Sequence, residues 1–130
     1  MINEITELGA LNKRIYECIS PDIDTERVII TDKQLDHIAD HHPEAYDETL
    51  IELKTTLTDP DYIIKDDKHI DTGLVIKSIP YGNEHLHIVL KICTDSQNGK
   101  LANSIISGWK ISEARLRNYL RNKTVLYKKE

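Results

Sequence analysis

The stretch DYIIKDDKHIDTGLVIKSIPYGNEHLHIVLKI, residues 61–92, decides the fold class. Here the hydrophobic residues change from the helical period of the preceding segments to an alternation of period two, which is typical of β-strands. Turn-prone clusters such as DDKHIDTG and PYGNE separate the alternating runs, so the pattern predicts successive antiparallel strands. The predicted strands are DYIIK (61–65), GLVIKSI (73–79), HLHIVLKI (85–92), NSIISGWKI (103–111) and TVLYKK (124–129).

The residues before this stretch have the apolar spacing of amphipathic helices. Thr31 and Gln34 have the form of a capping box, and Pro43 suits the first position of the following helix. Ser112 is placed to cap a short basic helix, EARLRNYLR. The predicted helices cover residues 3–19, about 31–42, 43 to the turn TDPD, and 113–121, and a short strand-like run lies at 27–30.

The sequence therefore predicts an α+β domain. N-terminal helices are followed by a four- to five-stranded antiparallel sheet, with a short basic helix before the last strand. The helices are expected to cover one face of the sheet and to leave the other face, or a groove along it, for function. A length of 130 residues suits one domain. Within it, residues 1–27 are interpreted as an accessory helix and linker, and residues 28–130 as the main domain.

The net charge of −5 is unevenly divided along the chain. Residues 100–130 hold eight basic and two acidic residues, a balance of +6, so residues 1–99 hold a balance of −11. Such a split can direct one face towards a polyanion, although an unevenly charged solvated surface gives the same pattern.

Neither a membrane segment nor an export signal is recognisable. No apolar run approaches the roughly 20 residues of a spanning helix, and the N-terminal MINEITELGALNKRIYE is acidic where a signal peptide would be basic and then apolar. Cys18 and Cys93 lack metal-ligand spacing and are expected to be reduced thiols. These features predict a cytoplasmic protein.

Three of the six histidines lie in HIADHHPE, residues 37–44. His37 and His41 are one helical turn apart and could bind zinc, but no Cys pair and no HExxH glutamate accompanies them. A solvated face is therefore expected for them, and no metal site is predicted. His42 shares the apolar stripe of the second helix, which predicts a partly buried imidazole, either a satisfied core histidine or a catalytic acid or base.

Strand alternation sorts the polar side chains of the predicted sheet. Lys77 has apolar neighbours on its face and is either a solvated edge charge or an anion contact. Lys91 shares its face with His85 and His87. The next strand offers the amide and hydroxyl groups of Asn103, Ser104 and Ser107.

The usual phosphate-loop, nucleophile-elbow and paired-carboxylate signatures are missing from the sequence. A histidine, strand lysines, serines and a basic C-terminal third fit metal-free RNA cleavage instead. In that reaction the 2′-hydroxyl attacks the adjacent phosphate, a base and an acid move the protons, and cations stabilise the phosphorane.

The motifs HIADHHPE, DPDYIIKD, NSIISGWKI and RNYLRNKTVLYKKE resemble the phage-associated nucleases grouped with barnase, EndoU, the tRNase colicins and RelE. The likeness covers about residues 28–130. It implies a pair of helices followed by a four-stranded antiparallel sheet with the active site on its open face. It also implies a metal-independent endoribonuclease of phages or mobile elements, acting as a toxin or effector on RNA, tRNA included, with a cognate immunity or antitoxin protein as a partner and no cofactor.

The resemblance also suggests which residues act. His42 and His37 stand in the family's helix histidine positions, with His42 as general acid or base. Lys77, Lys91, Ser104 and Ser107 complete the predicted catalytic set. The predicted substrate-binding residues are Asn103, Lys110, Arg115, Tyr127 and Lys128.

Two other functions remain open at this point. The first is a non-catalytic RNA- or protein-binding module on the same scaffold, which predicts binding without cleavage. The second is a metal-dependent enzyme built on His37 and His41, which predicts activity lost to chelators.

Overall fold

The computed structural model describes residues 4–80, 83–94 and 102–130 of the chain. These residues form seven strands, four α-helices and one 3-10 helix. The strands are β1 (Ile5–Ala10), β2 (Arg27–Thr31), β3 (Tyr62–Lys65), β4 (Thr72–Ser78), β5 (Glu84–Lys91), β6 (Asn103–Ser112) and β7 (Val125–Lys128). The helices are α1 (Lys13–Tyr16), α2 (Asp32–Ile38), α3 (Tyr46–Thr58) and α4 (Glu113–Asn122), and the 3-10 helix is Pro43–Ala45.

The seven strands belong to one mixed sheet, in the order β1-β2-β6-β5-β4-β3-β7. β2 lies parallel to β6, with Val28 opposite Asn103, and the other neighbouring pairs are antiparallel. The predicted four- to five-stranded antiparallel sheet after N-terminal helices is therefore wrong. Alternation within a segment indicates a strand but does not identify its partner, so the pairing of two strands so far apart in the chain was not visible in the sequence.

The N-terminal segment forms a strand, Ile5–Ala10, in the first part of the helix predicted over residues 3–19. β1 pairs antiparallel with β2, and the register shifts between Glu7 and Gly9. Gly9 has a φ of +102°, which a right-handed helix excludes. The apolar spacing fitted a helix, but the backbone N–H and C=O groups of this segment form their hydrogen bonds with β2 instead. Within residues 4–19 only α1 is helical, and the side chain of Asn12 caps it by accepting a hydrogen bond from the backbone of Arg14.

The later helices are confirmed, with one difference in length. Thr31 and Ser112 cap α2 and α4 as predicted. α2 ends at Ile38, earlier than predicted, because Asp40 and His41 have φ values of 56° and 61° that turn the chain out of the helix. Among the described parts of the chain, no helix is long and apolar enough to cross a membrane.

The sheet buries apolar side chains on both faces. On the face covered by α2 and α3, called the helix face, the core includes Leu53, Val75 and Ile88. On the opposite face, called the open face, Leu116 of α4 packs on a smaller cluster that includes Leu74. Because α4 covers only part of that face, the remaining surface is left to form a cavity.

Candidate active site on the open face of the sheet

The predicted site residues do not meet at one place. His37 lies in the last turn of α2 and His42 lies after the end of that helix. Both line a cavity of about 520 Å³ with Trp109 and Lys110. His42 is exposed, and its Nδ1 lies 3.0 Å from Oε1 of Glu44. The prediction of a partly buried His42 is wrong, because the two left-handed residues before it remove it from the helical stripe.

Lys77 lies on the helix face, opposite Leu86 of β5. Its ammonium group is 3.2 Å from the carboxylate of Asp59 and 3.5 Å from that of Asp61. Lys129 also binds Asp59, at 2.7 Å, and the hydrogen bonds from Lys129 and then Lys77 lower the pKa of Asp59. Lys77 is therefore neutralised by two carboxylates of the turn before β3.

Asn103 is fully buried and holds three segments together. Its Nδ2 donates to the backbone oxygens of Thr25 and Arg27, at 2.8 and 3.0 Å, and its Oδ1 accepts from the backbone of Cys93 at 2.7 Å. The amide thus has its polar atoms engaged inside the protein. Among the other predicted substrate contacts, Tyr127 packs against the helix-face core, whereas Lys110, Arg115 and Lys128 are exposed.

The pairing of β5 with β6 brings Lys91, Ser104 and Ser107 together on the open face. Lys91 lies directly opposite Ser104, and Val89 opposite Ser107. The ammonium group of Lys91 donates at 2.8 Å to the backbone oxygen of Ile70, which lies in the loop between β3 and β4. Ser107 lines a second cavity, of about 580 Å³, which His37 and His42 do not line.

This second cavity, called the open-face cavity, lies between the β3–β4 loop, the centre of β5 and β6, and α4. Buried Leu74 and Val89 form an apolar floor, with Ile106 beside them. Charged and polar side chains surround that floor. They are Asp66, Asp67, Lys68, His69 and Lys123.

His69 and Asp66 form an imidazole–carboxylate pair at the rim of the open-face cavity. Nδ1 of His69 is 3.1 Å from Oδ2 of Asp66, and Oδ1 of Asp66 accepts from the backbone of Lys68 at 2.8 Å. Burial alone would raise the pKa of Asp66, but the hydrogen bonds from Lys68 and His69 outweigh it and lower that pKa. The side chain of His69 is 61% exposed, so a substrate can reach the ring while one nitrogen is held by the carboxylate.

His87 is buried beneath the aromatic rings of the cavity. Its ring centroid is 4.3 Å from that of Trp109, with 44° between the planes, and 5.8 Å from that of Tyr119. Neither ring nitrogen has a partner with good hydrogen-bond geometry among the described residues. Burial, followed by the positive charge of Lys123, lowers the pKa of His87 to about 4. The imidazole is therefore neutral at neutral pH.

Basic side chains at and near the cavity offer contacts for an anion, beside the carboxylates of Asp66 and Asp67. The Nζ of Lys123 is 5.4 Å from the centroid of the Tyr119 ring. The charge of Arg115 also contributes to the lowered pKa of His87, and Lys68 lines the rim. Cations beside an apolar floor provide both the charge and the low-dielectric setting that bind a phosphate backbone.

Several residues of this cavity were not assigned to a site from the sequence. Alternation placed His87 on the face of Lys91, which was a usable signal. For His69, the Asp-x-x-His spacing within the turn DDKHIDTG was the one local hint. Trp109 and Tyr119 both contact His87, because β6 pairs with β5 and α4 packs over the same part of the sheet.

The zinc hypothesis can be compared with the geometry. Within residues 4–80, 83–94 and 102–130, no group of three or more His, Cys, Asp or Glu side chains is placed to hold a metal ion. Nδ1 of His41 is 2.6 Å from the carboxylate of Asp36, which also accepts a hydrogen bond from the hydroxyl of Tyr46. The hydrogen bond to Asp36 raises the pKa of His41, so this histidine is part of an exposed ion pair.

An imidazole–carboxylate pair, several cations and an exposed indole around one cavity are features of enzymes that act on nucleic acid. The family described as phage-Barnase-EndoU-ColicinE5/D-RelE like nuclease2 matches residues 3–128. The chain belongs to this family of phage nucleases, which confirms the resemblance seen in the sequence. The match includes β1 and the segment up to residue 27. Comparisons with curated proteins and with solved structures give no significant match.

Proposed function

We propose that this nuclease is a metal-independent endoribonuclease that cleaves RNA at the open-face cavity. The attacking group is the 2′-hydroxyl next to the scissile phosphate. One observation carries the proposal: the exposed imidazole of His69 is held by Asp66 at 3.1 Å on the rim of a cavity that Lys123 also lines. These side chains offer the proton transfer and the charge stabilisation that the reaction requires.

His69 is proposed as the group that exchanges a proton with the substrate. Because Asp66 engages Nδ1, the Nε2 atom is the nitrogen left for the ribose hydroxyl or the leaving 5′-oxygen. The carboxylate fixes the tautomer and the orientation of the ring, so that Nε2 faces the substrate. His87 cannot share this role in the same arrangement, because its nitrogens are buried and its pKa is about 4.

The cations of the cavity are proposed to hold the phosphate and the developing phosphorane. Lys68 and Lys123 line the cavity, and Arg115 stands nearby on α4. Ser107 adds a hydroxyl on the cavity wall. Lys91 and Ser104 extend the same face along the β5–β6 pair and suit the phosphate of a neighbouring nucleotide. This part of the predicted catalytic set therefore agrees with the proposed cavity.

Two histidines allow a sharp comparison between this cavity and the one at the end of α2. His69 and His42 are both 61% exposed, and each has Nδ1 near a carboxylate, at 3.1 and 3.0 Å. They differ in the cavity that they line. If the open-face cavity is the active site, His69→Ala reduces cleavage at least about 100-fold, whereas His42→Ala reduces it much less. The opposite result would move the catalytic site to the end of α2.

The activity itself is tested with purified protein and total cellular RNA, with and without a chelator, followed by mapping of the cut ends. The expected products carry 2′,3′-cyclic phosphates and form equally in the chelator. Products that disappear with the chelator would contradict metal independence. Tight RNA binding without any cut would favour the non-catalytic binding module instead.

The proposed setting is that of a phage or mobile-element toxin that acts on cytoplasmic RNA and is neutralised by an immunity protein. Expression of the wild-type chain in bacteria is expected to arrest growth, and expression of His69→Ala is not. Normal growth at equal protein levels of both forms would contradict the toxin role.

A further inference from the structure

We propose that the indole of Trp109 is a stacking platform for an unpaired nucleobase, so that the open-face cavity selects single-stranded RNA. This inference deepens the proposed function and rests on it, because it names the form of the substrate that the same cavity takes. The observations that carry it are the exposure of Trp109, the ring beneath it and the division of the cavity into apolar and charged parts.

Trp109 is a large apolar side chain that remains 42% exposed. It is nevertheless held in place, because it lies directly opposite His87 in the β5–β6 pair and the two ring centroids are 4.3 Å apart. Tyr119 of α4 packs on the same histidine at 5.8 Å. An aromatic ring that is packed against neighbouring rings and still partly exposed offers surface for stacking at little entropic cost.

The support beneath the indole is uncharged. His87 is 1% exposed, and its low pKa, about 4, keeps it neutral at neutral pH. Because the imidazole of His87 carries no charge, it packs against the indole and does not compete with the lysines of the rim for the phosphate of the RNA. His87 is therefore a positioning residue in this proposal, and it acts through Trp109.

The remaining lining matches the two parts of a nucleotide. Leu74 and Val89 are buried on the floor, and Ile106 is 38% exposed beside them. Ile106 stands at a bulge, because Val89 pairs with Ser107 while the next residue of β5 pairs with Ile105. Bulges often redirect a side chain towards a site. The cavity volume of about 580 Å³ lies within the range of small-ligand pockets, roughly 300–1,000 Å³.

The polar rim then receives the backbone of the same strand. Lys68 and Lys123 line the cavity together with His69 and Trp109, so a base stacked on the indole within the cavity places its phosphate near cations and the proposed catalytic imidazole. In a duplex both faces of a base are covered by neighbouring pairs, and the base cannot stack on a protein ring. The geometry therefore requires a loop, a bulge or a single strand.

Trp109 is the one tryptophan of the chain, so intrinsic fluorescence reports on it directly. The protein is titrated with a single-stranded DNA oligonucleotide, which lacks the 2′-hydroxyl and is not cleaved. Saturable quenching of the tryptophan emission is expected, and an abasic oligonucleotide of equal length and charge is expected to bind with much less quenching. Equal quenching by both, or binding without quenching, would overturn the platform.

Kinetics provide a second readout. Trp109→Leu should raise KM for a single-stranded RNA about 10- to 100-fold, the range that loss of one stacked base implies, while Trp109→Phe should restore most of the affinity. Ile51→Ala, which truncates another exposed apolar side chain on α3, serves as the matched control. Folding of each variant is checked by circular dichroism. An unchanged KM in folded Trp109→Leu would overturn the proposal.

The outcomes separate this inference from the proposed function. Quenching by the DNA strand without any cleavage of RNA would refute the endoribonuclease activity and leave the stacking platform intact. Cleavage of duplex and single-stranded RNA at equal rates, with no quenching, would refute the stacking platform and leave the endoribonuclease activity intact.

Discussion

Asp66 holds the ring of His69 by Nδ1, at 3.1 Å, and the same carboxylate also accepts the backbone N–H of Lys68 at 2.8 Å. One side chain therefore shapes the β3–β4 loop and orients the exposed imidazole that the loop carries to the open-face cavity. Because both contacts lie within the loop, the position of the proposed catalytic imidazole is set by a turn and not by a strand or helix.

Asp66→Asn is expected to reduce the rate of RNA cleavage at least about 10-fold, because the amide can still accept from Lys68 but no longer fixes the tautomer of His69 as a carboxylate does. The measurement is kcat for a short RNA across pH. Asp67→Asn is the control, since Asp67 lines the same cavity and is exposed in the loop. Equal losses in the two variants would mean that only the charge of the rim matters.

Lys123→Met is expected to weaken RNA binding and to reduce the slope of log K against log salt concentration by about one, as the loss of one phosphate contact implies. The methionine keeps much of the apolar stem that packs near Tyr119. Lys54→Met, an exposed lysine on α3, is the matched control and should leave the slope unchanged. A wild-type slope in Lys123→Met would remove this lysine from the phosphate contacts.

His87 should make the protein sensitive to acid. Its pKa is about 4 in the folded state and about 6.5 in an unfolded chain, so the unfolded state takes up the proton first as pH falls. The contribution of neutral His87 to the free energy of unfolding is fully present above pH 6.5 and decreases as pH falls from 6.5 to 4. Below pH 4 it changes no further, and the total loss is about 3 kcal/mol.

The test of this linkage is the free energy of unfolding of the wild type and of His87→Phe, measured by urea denaturation between pH 7.5 and 4. The phenylalanine retains a ring beneath Trp109 and has no nitrogen to protonate. The difference between the two proteins should grow in favour of the variant as pH falls. Parallel curves would show that His87 does not titrate in this window.

Lys77 and Lys91 are both members of the catalytic set predicted from the resemblance, and they lie on opposite faces of the sheet. Lys77→Ala should lower the free energy of unfolding by about 1 kcal/mol, because it removes the cation that Asp59 and Asp61 share and leaves only Lys129 on Asp59, and the folded protein should still cleave RNA. Lys91→Ala should reduce cleavage more than stability. Loss of cleavage in a fully folded Lys77→Ala protein would restore Lys77 to the active site.

The extent to which the sequence predicted the fold differs between segments. β3, β4 and β5 were recognised because alternation is a local pattern that follows from the geometry of a strand. The caps at Thr31 and Ser112 were recognised for the same reason, since a capping residue and the turn that it caps are neighbours in the chain. The prediction of the first helix was wrong because the apolar spacing fits a helix locally, whereas the backbone of this segment forms its hydrogen bonds with β2.

The candidate site was less predictable than the fold. The helical phase placed His42 in a core stripe, but left-handed backbone at Asp40 and His41 turned it outward. Alternation placed Lys91 on one face with His85 and His87, but only the pairing of β5 with β6 showed that Ser104 and Ser107 join that face.

The sequence by itself determined the strand-forming segments, the helix caps and the family, because each of these depends on residues close together in the chain or on a motif that can be read directly. Only the tertiary structure decided the parallel pairing of β2 with β6 and the meeting of His69, Trp109 and Lys123 around one cavity. These three residues come from a loop, a strand and the end of a helix. Their proximity depends on how the sheet and α4 pack, which no local pattern encodes.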